Sequence, residues 1–179
     1  MGKTLIKGAL LGGILLFIWG SLSWTLLPWH NWTLHRFSDE AAATSALQAN
    51  APHSGIYVYP TPETSGEAAQ AGPMVFLAYC TGGPGSMAKP MILNFLLQVI
   101  VAGLVTALLL KTRGLSFWGR VGFVTLAAFT AGVVCFLPPW IWFRFATDYT
   151  LVMLADLTIS GFLLGLVLAK WASPEPAAA

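Results

Sequence analysis

Four long apolar segments constrain the fold of this chain more than any other feature of its sequence. They run from about Leu5 to Leu27, from Met91 to Leu110, from Val121 to about Ile141 and from about Tyr149 to Ala169. A helix needs about 20 apolar residues to cross a bilayer. Charged residues make up only 9% of the chain, against roughly 25% in a soluble domain. The sequence therefore predicts an all-α membrane protein, a bundle of four transmembrane helices with lipid as its main solvent.

The segment between the first two apolar stretches is the one sizeable part outside the bilayer. Asp39 to Asn50 has the composition of a helix, with Ser38 as its N-cap. Gly55 to Tyr59 and Met74 to Tyr79 are rich in β-branched and aromatic residues, which favours two short strands. We therefore predict four regions: a first transmembrane helix (1–27), a small α+β cap of one helix and two strands (28–89), transmembrane helices 2–4 (90–171) and a disordered tail (172–179).

Three prolines bear on the predicted helix boundaries. Pro90 suits the first turn of the second transmembrane helix, where its missing N–H group costs little. Pro138 and Pro139 are expected to end or break the third helix. Each removes a hydrogen-bond donor, and the proline ring clashes with the preceding turn.

The distribution of Lys and Arg predicts the orientation, because cytoplasmic segments are enriched in both. With the N-terminus in the cytoplasm, that side holds six of the nine cations, namely Lys3, Lys7, Lys111, Arg113, Arg120 and Lys170, and the other side holds Arg36, Lys89 and Arg144. Five tryptophans map to the outer interface, where amphipathic rings are common: Trp24, Trp29, Trp32, Trp140 and Trp142. We therefore expect both termini in the cytoplasm and residues 28–89 outside it.

The first apolar segment has an alternative interpretation as a secretory signal peptide. It has a basic start, an apolar stretch and a small-x-small sequence, Ser21-Leu22-Ser23, that resembles a cleavage site. Against cleavage, apolar residues continue through Leu27 into Pro28 and Trp29. This continuation is typical of the end of an anchored helix, so the transmembrane interpretation is favoured.

Asp156 is the most informative single residue, because it lies about two turns into the fourth predicted helix. An ionisable group at that depth costs about 2.5–3.5 kcal/mol unless it is paired or protonated. Asn94 and Gln98 are one turn apart on the second helix at a similar depth, and we expect them to be its partners. Two roles remain open: a hydrogen bond that ties helices together, which is favoured, or a site for an ion, a proton or a ligand.

Small residues recur at a spacing of four in the predicted helices. Gly8 and Gly12 form one such pair, and Gly161 and Gly165 form another. Ala128 and Gly132 form a weaker pair. Because small residues let helix backbones approach closely, these positions predict helix packing, within this bundle rather than across a dedicated dimer seam.

Histidines and cysteines near the outer side were considered as ligands. His30 and His35, followed by Arg36, flank the outer end of the first helix. Their spacing of five does not place both rings on one helix face, so we expect histidines that lie at the outer interface or contact lipid headgroups rather than a metal site. Cys80 and Cys135 could form a disulfide if the outer compartment is oxidising.

The sequence excludes several functional classes. It has no cluster of Lys and Arg for nucleic acid, and no dinucleotide, phosphate-loop or nucleophile-elbow motif. No catalytic residue and no cofactor is predicted. We expect a structural or accessory protein whose partners are the lipid bilayer and a membrane protein or further copies of itself. The alternatives are a transporter or channel subunit with a polar path at Asp156, and a lipid-acting enzyme using His30, His35 or Asp39.

Four short stretches carry a resemblance that covers most of the chain: Leu27 to Asn31, Asn50 to Tyr57, Ser86 to Pro90 and Gly114 to Arg120. They resemble segments of small bacterial inner-membrane proteins with four transmembrane helices and no assigned function. The resemblance implies a multi-pass protein of the bacterial inner membrane whose residues 28–89 are periplasmic. It implies no activity and no site residues.

Overall fold

The computed structural model describes residues 2–61, 63–64, 66–67, 71–83, 85–112 and 114–171. Within these residues, four helices are long and apolar enough to cross a membrane. They are α1 (Gly2–Thr25), α4 (Ala88–Leu109), α5 (Phe117–Phe143) and α6 (Thr147–Trp171). The predicted four-helix, multi-pass architecture is therefore confirmed. Arg113 and the predicted tail at 172–179 lie outside the described residues.

The four long helices form two antiparallel pairs. α1 packs along α4, and α5 packs along α6, while α1 also contacts α6 and so joins the pairs. α4 and α5 make only sparse contact. The Nζ atom of Lys7 lies 5.0 Å from the centre of the Trp171 ring, which places the start of α1 beside the end of α6. The bundle is thus closed along the α1–α6 seam and open between α4 and α5.

Glycines make the closest helix contacts, as their spacing predicted. A Cβ atom on Gly8 would collide with Thr106, and one on Gly161 would collide with Ala128. At Gly165 a Cβ would lie 3.0 Å from the backbone oxygen of Val121. These contacts join α1 to α4 and α6 to α5, so the small-residue pairs serve packing within this chain.

The prediction that Pro138 and Pro139 end or break the third helix is wrong, because α5 runs through both prolines to Phe143. A proline ring fixes φ near the helical value, so a helix can continue through it at the cost of a lost hydrogen bond and crowding against the preceding turn. Such losses are tolerated in transmembrane helices. The helix ends where Arg144 takes a left-handed conformation with a φ of 52°, its N–H donating to the Pro139 carbonyl oxygen.

The chain between α1 and α4 contains short elements. A single-turn helix, α2 (Trp29–Trp32), is followed by α3 (Glu40–Asn50), β1 (Gly55–Tyr59) and β2 (Val75–Tyr79). The strands pair antiparallel, with Gly55 opposite Tyr79, and the Phe76 ring lies 4.6 Å from that of Phe143 at the end of α5. The predicted helix and strands are therefore present.

The N-cap of α3 differs from the prediction by one residue. Asp39 is the cap, and its carboxylate accepts a hydrogen bond from the Ala42 N–H at 2.9 Å. The prediction of Ser38 was wrong because either residue type can cap, and only the backbone geometry decides between adjacent candidates.

Candidate functional site

Asp156 lies on α6, nine residues after its first residue, Thr147. At 1.5 Å per residue this is about 13 Å along the helix, well within the apolar span. Its side chain is 13% exposed. Four side chains of α1 and α2 surround it, and together the five form what we call the Asp156 cluster: Trp19, Ser23, Trp29, His30 and Asp156.

α1 supplies two donors to the carboxylate. The Nε1–H group of Trp19 donates to Asp156 Oδ1 at 2.8 Å, and the Ser23 hydroxyl donates to the same oxygen at 2.9 Å. Trp19 and Ser23 are four residues apart and therefore share one face of the helix. Because Asp156 is on α6, these hydrogen bonds cross the seam that joins the two helix pairs.

His30 reaches the cluster because the chain turns back after α1. Its Nε2 atom lies 3.1 Å from Ser23 Oγ and 3.5 Å from Asp156 Oδ2. The Trp24 ring stacks on the imidazole at 3.9 Å with an interplanar angle of 7°. His30 is only 1% exposed, so the headgroup contact predicted as one of its two alternatives is wrong, while its interfacial position stays a prediction. Trp24 and Trp29 enclose the ring instead.

Ser23 contacts three members of the Asp156 cluster. Its hydroxyl donates to Asp156 Oδ1 at 2.9 Å, and its Oγ accepts from the Trp29 Nε1–H at 3.0 Å. The direction of its third contact, with His30 Nε2, depends on the imidazole tautomer. Ser23 therefore links the carboxylate of α6 to the indole and the imidazole of α2.

Asn94 and Gln98 do not pair with Asp156 as predicted. Gln98 Nε2 lies 3.5 Å from Asn94 Oδ1, a long hydrogen bond within α4. The Asp156 carboxylate is bonded instead by donors from α1, because α1 and not α4 packs against α6. Nevertheless all three predicted intramembrane residues line one cleft.

That cleft, with a volume of about 780 Å³, occupies the gap between α4 and α5. Ligand sites typically measure about 300–1,000 Å³. α5 contributes small side chains, Ala127, Ala128 and Ala131, and α6 contributes Met153, Asp156 and Ser160. α4 and its N-cap residue contribute Met87, Met91, Asn94, Gln98, Val101, Val105 and Leu108. α1 contributes Leu16, Phe17, Gly20, Ser21, Trp24 and Thr25. The walls are thus mainly apolar, and their polar side chains are those of Asp156, Asn94, Gln98, Ser21, Thr25 and Ser160.

Comparison with known proteins adds nothing to this geometry. No protein-family model, curated protein or solved structure matches the chain. A functional assignment is therefore based on the cleft and on the Asp156 cluster.

The other predicted site residues lie elsewhere. His35 and Arg36 are exposed and lie outside the Asp156 cluster. Within the described part of the chain, no group of three or more His, Cys, Asp and Glu side chains could hold a metal ion. Cys80 and Cys135 are free thiols, both exposed, so the structure does not join them in a disulfide.

Sequence reasoning missed two members of the cluster, Trp19 and Ser23. Trp19 lies six residues before the end of α1, deeper than the tryptophans assigned to the outer interface. A tryptophan and a serine at a spacing of four inside an apolar segment place two donors on one face. That pattern indicates an acceptor on a neighbouring helix, and in the structure this acceptor is the Asp156 carboxylate.

Proposed function

We propose that this protein is a non-enzymatic accessory protein of the bacterial inner membrane, and that it holds one transmembrane helix of a partner protein in the cleft between α4 and α5. Both termini are cytoplasmic and residues 28–89 form a periplasmic cap. The location follows from the resemblance to small inner-membrane proteins. The orientation is supported by the six cations of nine on the side of the termini.

One observation carries the proposal: seven residues in a row along one face of α4, from Met87 to Leu108, line the cleft, and five of the seven are exposed. The seven cleft-lining residues of α4 follow one another at spacings of four and three, the repeat by which one helix contacts another. From Met87 to Leu108 this face is about 32 Å long, comparable with the hydrocarbon core of about 30 Å. A face of this length fits a partner helix.

Asn94 and Gln98 support a helix rather than lipid as the occupant. Gln98 lies near the middle of α4, ten residues after Ala88, and its amide has only the long contact to Asn94. Lipid chains offer no hydrogen-bond partner, so amides facing them are costly. A polar side chain on a partner helix would satisfy these amides, as Asn and Gln commonly do between membrane helices.

The α5 side of the cleft carries small side chains that let a helix backbone approach closely. Ala127 and Ala131, one turn apart on α5, line the cleft together with Ala128. Small residues at such spacing let the backbone of a neighbouring helix come near and gain dispersion contacts. The cleft therefore combines a regular helix face on one side with a shallow wall on the other.

A second candidate is a transport or channel subunit, favoured by the fact that Asp156, Asn94 and Gln98 line the same cleft. Apolar residues such as Val101, Val105 and Leu108 line the cleft beyond Gln98 along α4, so a polar path would have to cross an apolar stretch. Proteoliposome flux assays distinguish this candidate. Ion or proton flux that depends on Asp156 would favour transport over helix docking.

Site-specific photo-crosslinking in native membranes tests the docking function. A benzophenone amino acid replaces Val101, which lines the cleft, or Leu104, which is 63% exposed on α4 outside it. We expect one discrete protein adduct from position 101 and none from position 104. Ala131→Trp, which fills the cleft, should abolish the adduct.

Three results would contradict the docking function. Adducts with lipid alone would show that the cleft is a lipid groove. A dimer of this chain from position 101 would show self-association. Equal protein adducts from positions 101 and 104, or adducts unaffected by Ala131→Trp, would show contact that does not involve the cleft.

A further inference from the structure

The Asp156 carboxylate has an incomplete set of contacts. Oδ1 accepts from Trp19 and Ser23 at 2.8 and 2.9 Å. Oδ2 lies 3.5 Å from His30 Nε2, whereas charge-assisted N–H···O contacts measure about 2.7–2.9 Å. One carboxylate oxygen is thus saturated, and the other has no partner at full contact distance among the described residues.

The groups at hydrogen-bond distance from the carboxylate are uncharged donors. Trp19 and Ser23 both donate to Oδ1, and His30 Nε2 lies 3.5 Å from Oδ2. An anion in an apolar span is stabilised mainly by a cation at contact distance. Trp19 and Ser23 carry no charge, so the cluster holds Asp156 in place without neutralising it at close range.

Asp156 can be reached from the cleft. Its side chain is 13% exposed and forms part of the cleft wall, facing the space between α4 and α5. We infer that the helix held in the cleft carries a lysine or arginine that pairs with Asp156. This inference rests on the proposed docking function and names the chemistry of the partner.

The partner must be a different polypeptide. In the four membrane-spanning helices as described, every basic residue lies within five residues of a helix end: Lys3, Lys7, Lys89, Arg120 and Lys170. Asp156 lies nine residues from the nearer end of α6. A second copy of this chain therefore offers no lysine or arginine at the depth of Asp156.

Host–guest peptides in liposomes test the inference with the full-length protein. The probe is a Leu/Ala helix of about 20 residues with a single Lys at its centre, so that either insertion direction places the charge at a similar depth. Peptides with Leu or Glu at that position serve as comparisons. Energy transfer from a labelled peptide to labelled protein measures binding.

We expect the wild-type protein to bind the Lys peptide at least about tenfold more tightly than the Leu peptide, and the Glu peptide most weakly. Asp156→Asn keeps the shape of the side chain and should remove the preference. Asp148→Asn is the matched control, because Asp148 is an exposed acid in the first turn of the same helix, and it should retain the preference. The Lys-to-Glu comparison on wild-type protein remains decisive even if Asp156→Asn fails to fold.

The outcomes separate this inference from the docking function. Equal binding of Lys and Leu peptides to the wild type, both blocked by Ala131→Trp, would overturn the inference and leave docking intact. Absence of binding by either peptide would overturn both. Displacement of the Lys peptide by dodecylammonium at equal affinity would assign the site to small amphiphilic cations and overturn a helix as the occupant.

Discussion

The Trp19 indole donates a hydrogen bond to Asp156 Oδ1 at 2.8 Å, joining residues 137 positions apart. It links the first long helix to the last, along the seam that holds the two helix pairs together. Since α4 and α5 make little contact, this seam is the closed side of the bundle and the cleft is its open side. Asp156 thus contributes to both, through Oδ1 to the seam and through its exposed edge to the cleft.

Trp19→Phe should weaken the seam while preserving most of the ring volume. Side-chain hydrogen bonds in membrane proteins contribute about 0.6 kcal/mol on average and up to about 1.7. The charged acceptor places this one near the upper end, so we expect a loss of about 1–2 kcal/mol in the free energy of unfolding in mixed micelles. Trp32→Phe, at a position 71% exposed, is the control. A Trp19→Phe variant as stable as the control would show that Asp156 does not depend on this donor.

Gly161→Ala should destabilise the α5–α6 pair. The added methyl group would collide with the Ala128 side chain, and overpacking costs about 1–3 kcal/mol. Gly122→Ala on α5 is matched, because a Cβ there meets nothing within 4 Å. It should be neutral or stabilising by up to about 1 kcal/mol through higher helix propensity. Denaturant titration followed by circular dichroism measures both, and equal effects would contradict the described packing.

His30→Ala and His35→Ala should differ strongly. His30 is buried, stacked on Trp24 and bonded to Ser23, so its removal leaves a cavity and unsatisfied polar groups. We expect a loss of roughly 2–4 kcal/mol in unfolding free energy. His35 is exposed, and its replacement should change stability by less than about 0.5 kcal/mol. Similar small losses for both would mean that His30 lies at the lipid headgroups after all.

Local sequence patterns were sufficient for the helices and strands. Apolar runs of sufficient length are a local property, as are β-branched runs such as Gly55 to Tyr59, and both produced elements close to their predicted bounds. Pro138 and Pro139 misled because a long transmembrane helix tolerates lost hydrogen bonds that would end a shorter soluble one. The proline rule considers only the local sequence, whereas the long helix around the two prolines determines whether the helix continues.

The partners of Asp156 could not be predicted from depth alone. Asn94 and Gln98 are at a suitable depth, but they lie on α4, which faces Asp156 only across the cleft. Which helix packs against α6 depends on the fit of complementary faces, such as Gly12 of α1 against Leu164 of α6. His30 reaches the site only because the chain turns back after α1. Asp156 itself was identifiable, since an ionisable residue inside an apolar segment is recognised from the segment alone, before its partners are known.

Thiol labelling tests the proposed orientation. Cys80 follows β2 in the proposed periplasmic cap, whereas Cys135 lies within α5, eight residues before its end at Phe143. In intact cells, a membrane-impermeant maleimide should label the Cys135→Ser variant at Cys80. It should not label the Cys80→Ser variant at Cys135, which the bilayer shields. Labelling of Cys80 only after the inner membrane is opened would reverse the orientation.

Replacing the two cleft amides separates folding from partner binding. Among the described residues, Asn94 and Gln98 have only the long contact to each other, so leucine at both positions removes amides that have no other hydrogen bond in the described helices. We expect the double variant Asn94→Leu/Gln98→Leu to unfold at an equal or higher denaturant concentration than wild type, since apolar side chains suit the membrane better. The yield of the crosslink from position 101 to a partner helix should nevertheless fall, because the partner loses its hydrogen bonds.

Leu97→Ala is the control for the two amides. Leu97 is on the lipid-facing side of α4 and 54% exposed, so its replacement should leave the crosslink unchanged. A destabilised double variant would mean that the amides bind within this chain, and the open face of α4 would then need another explanation.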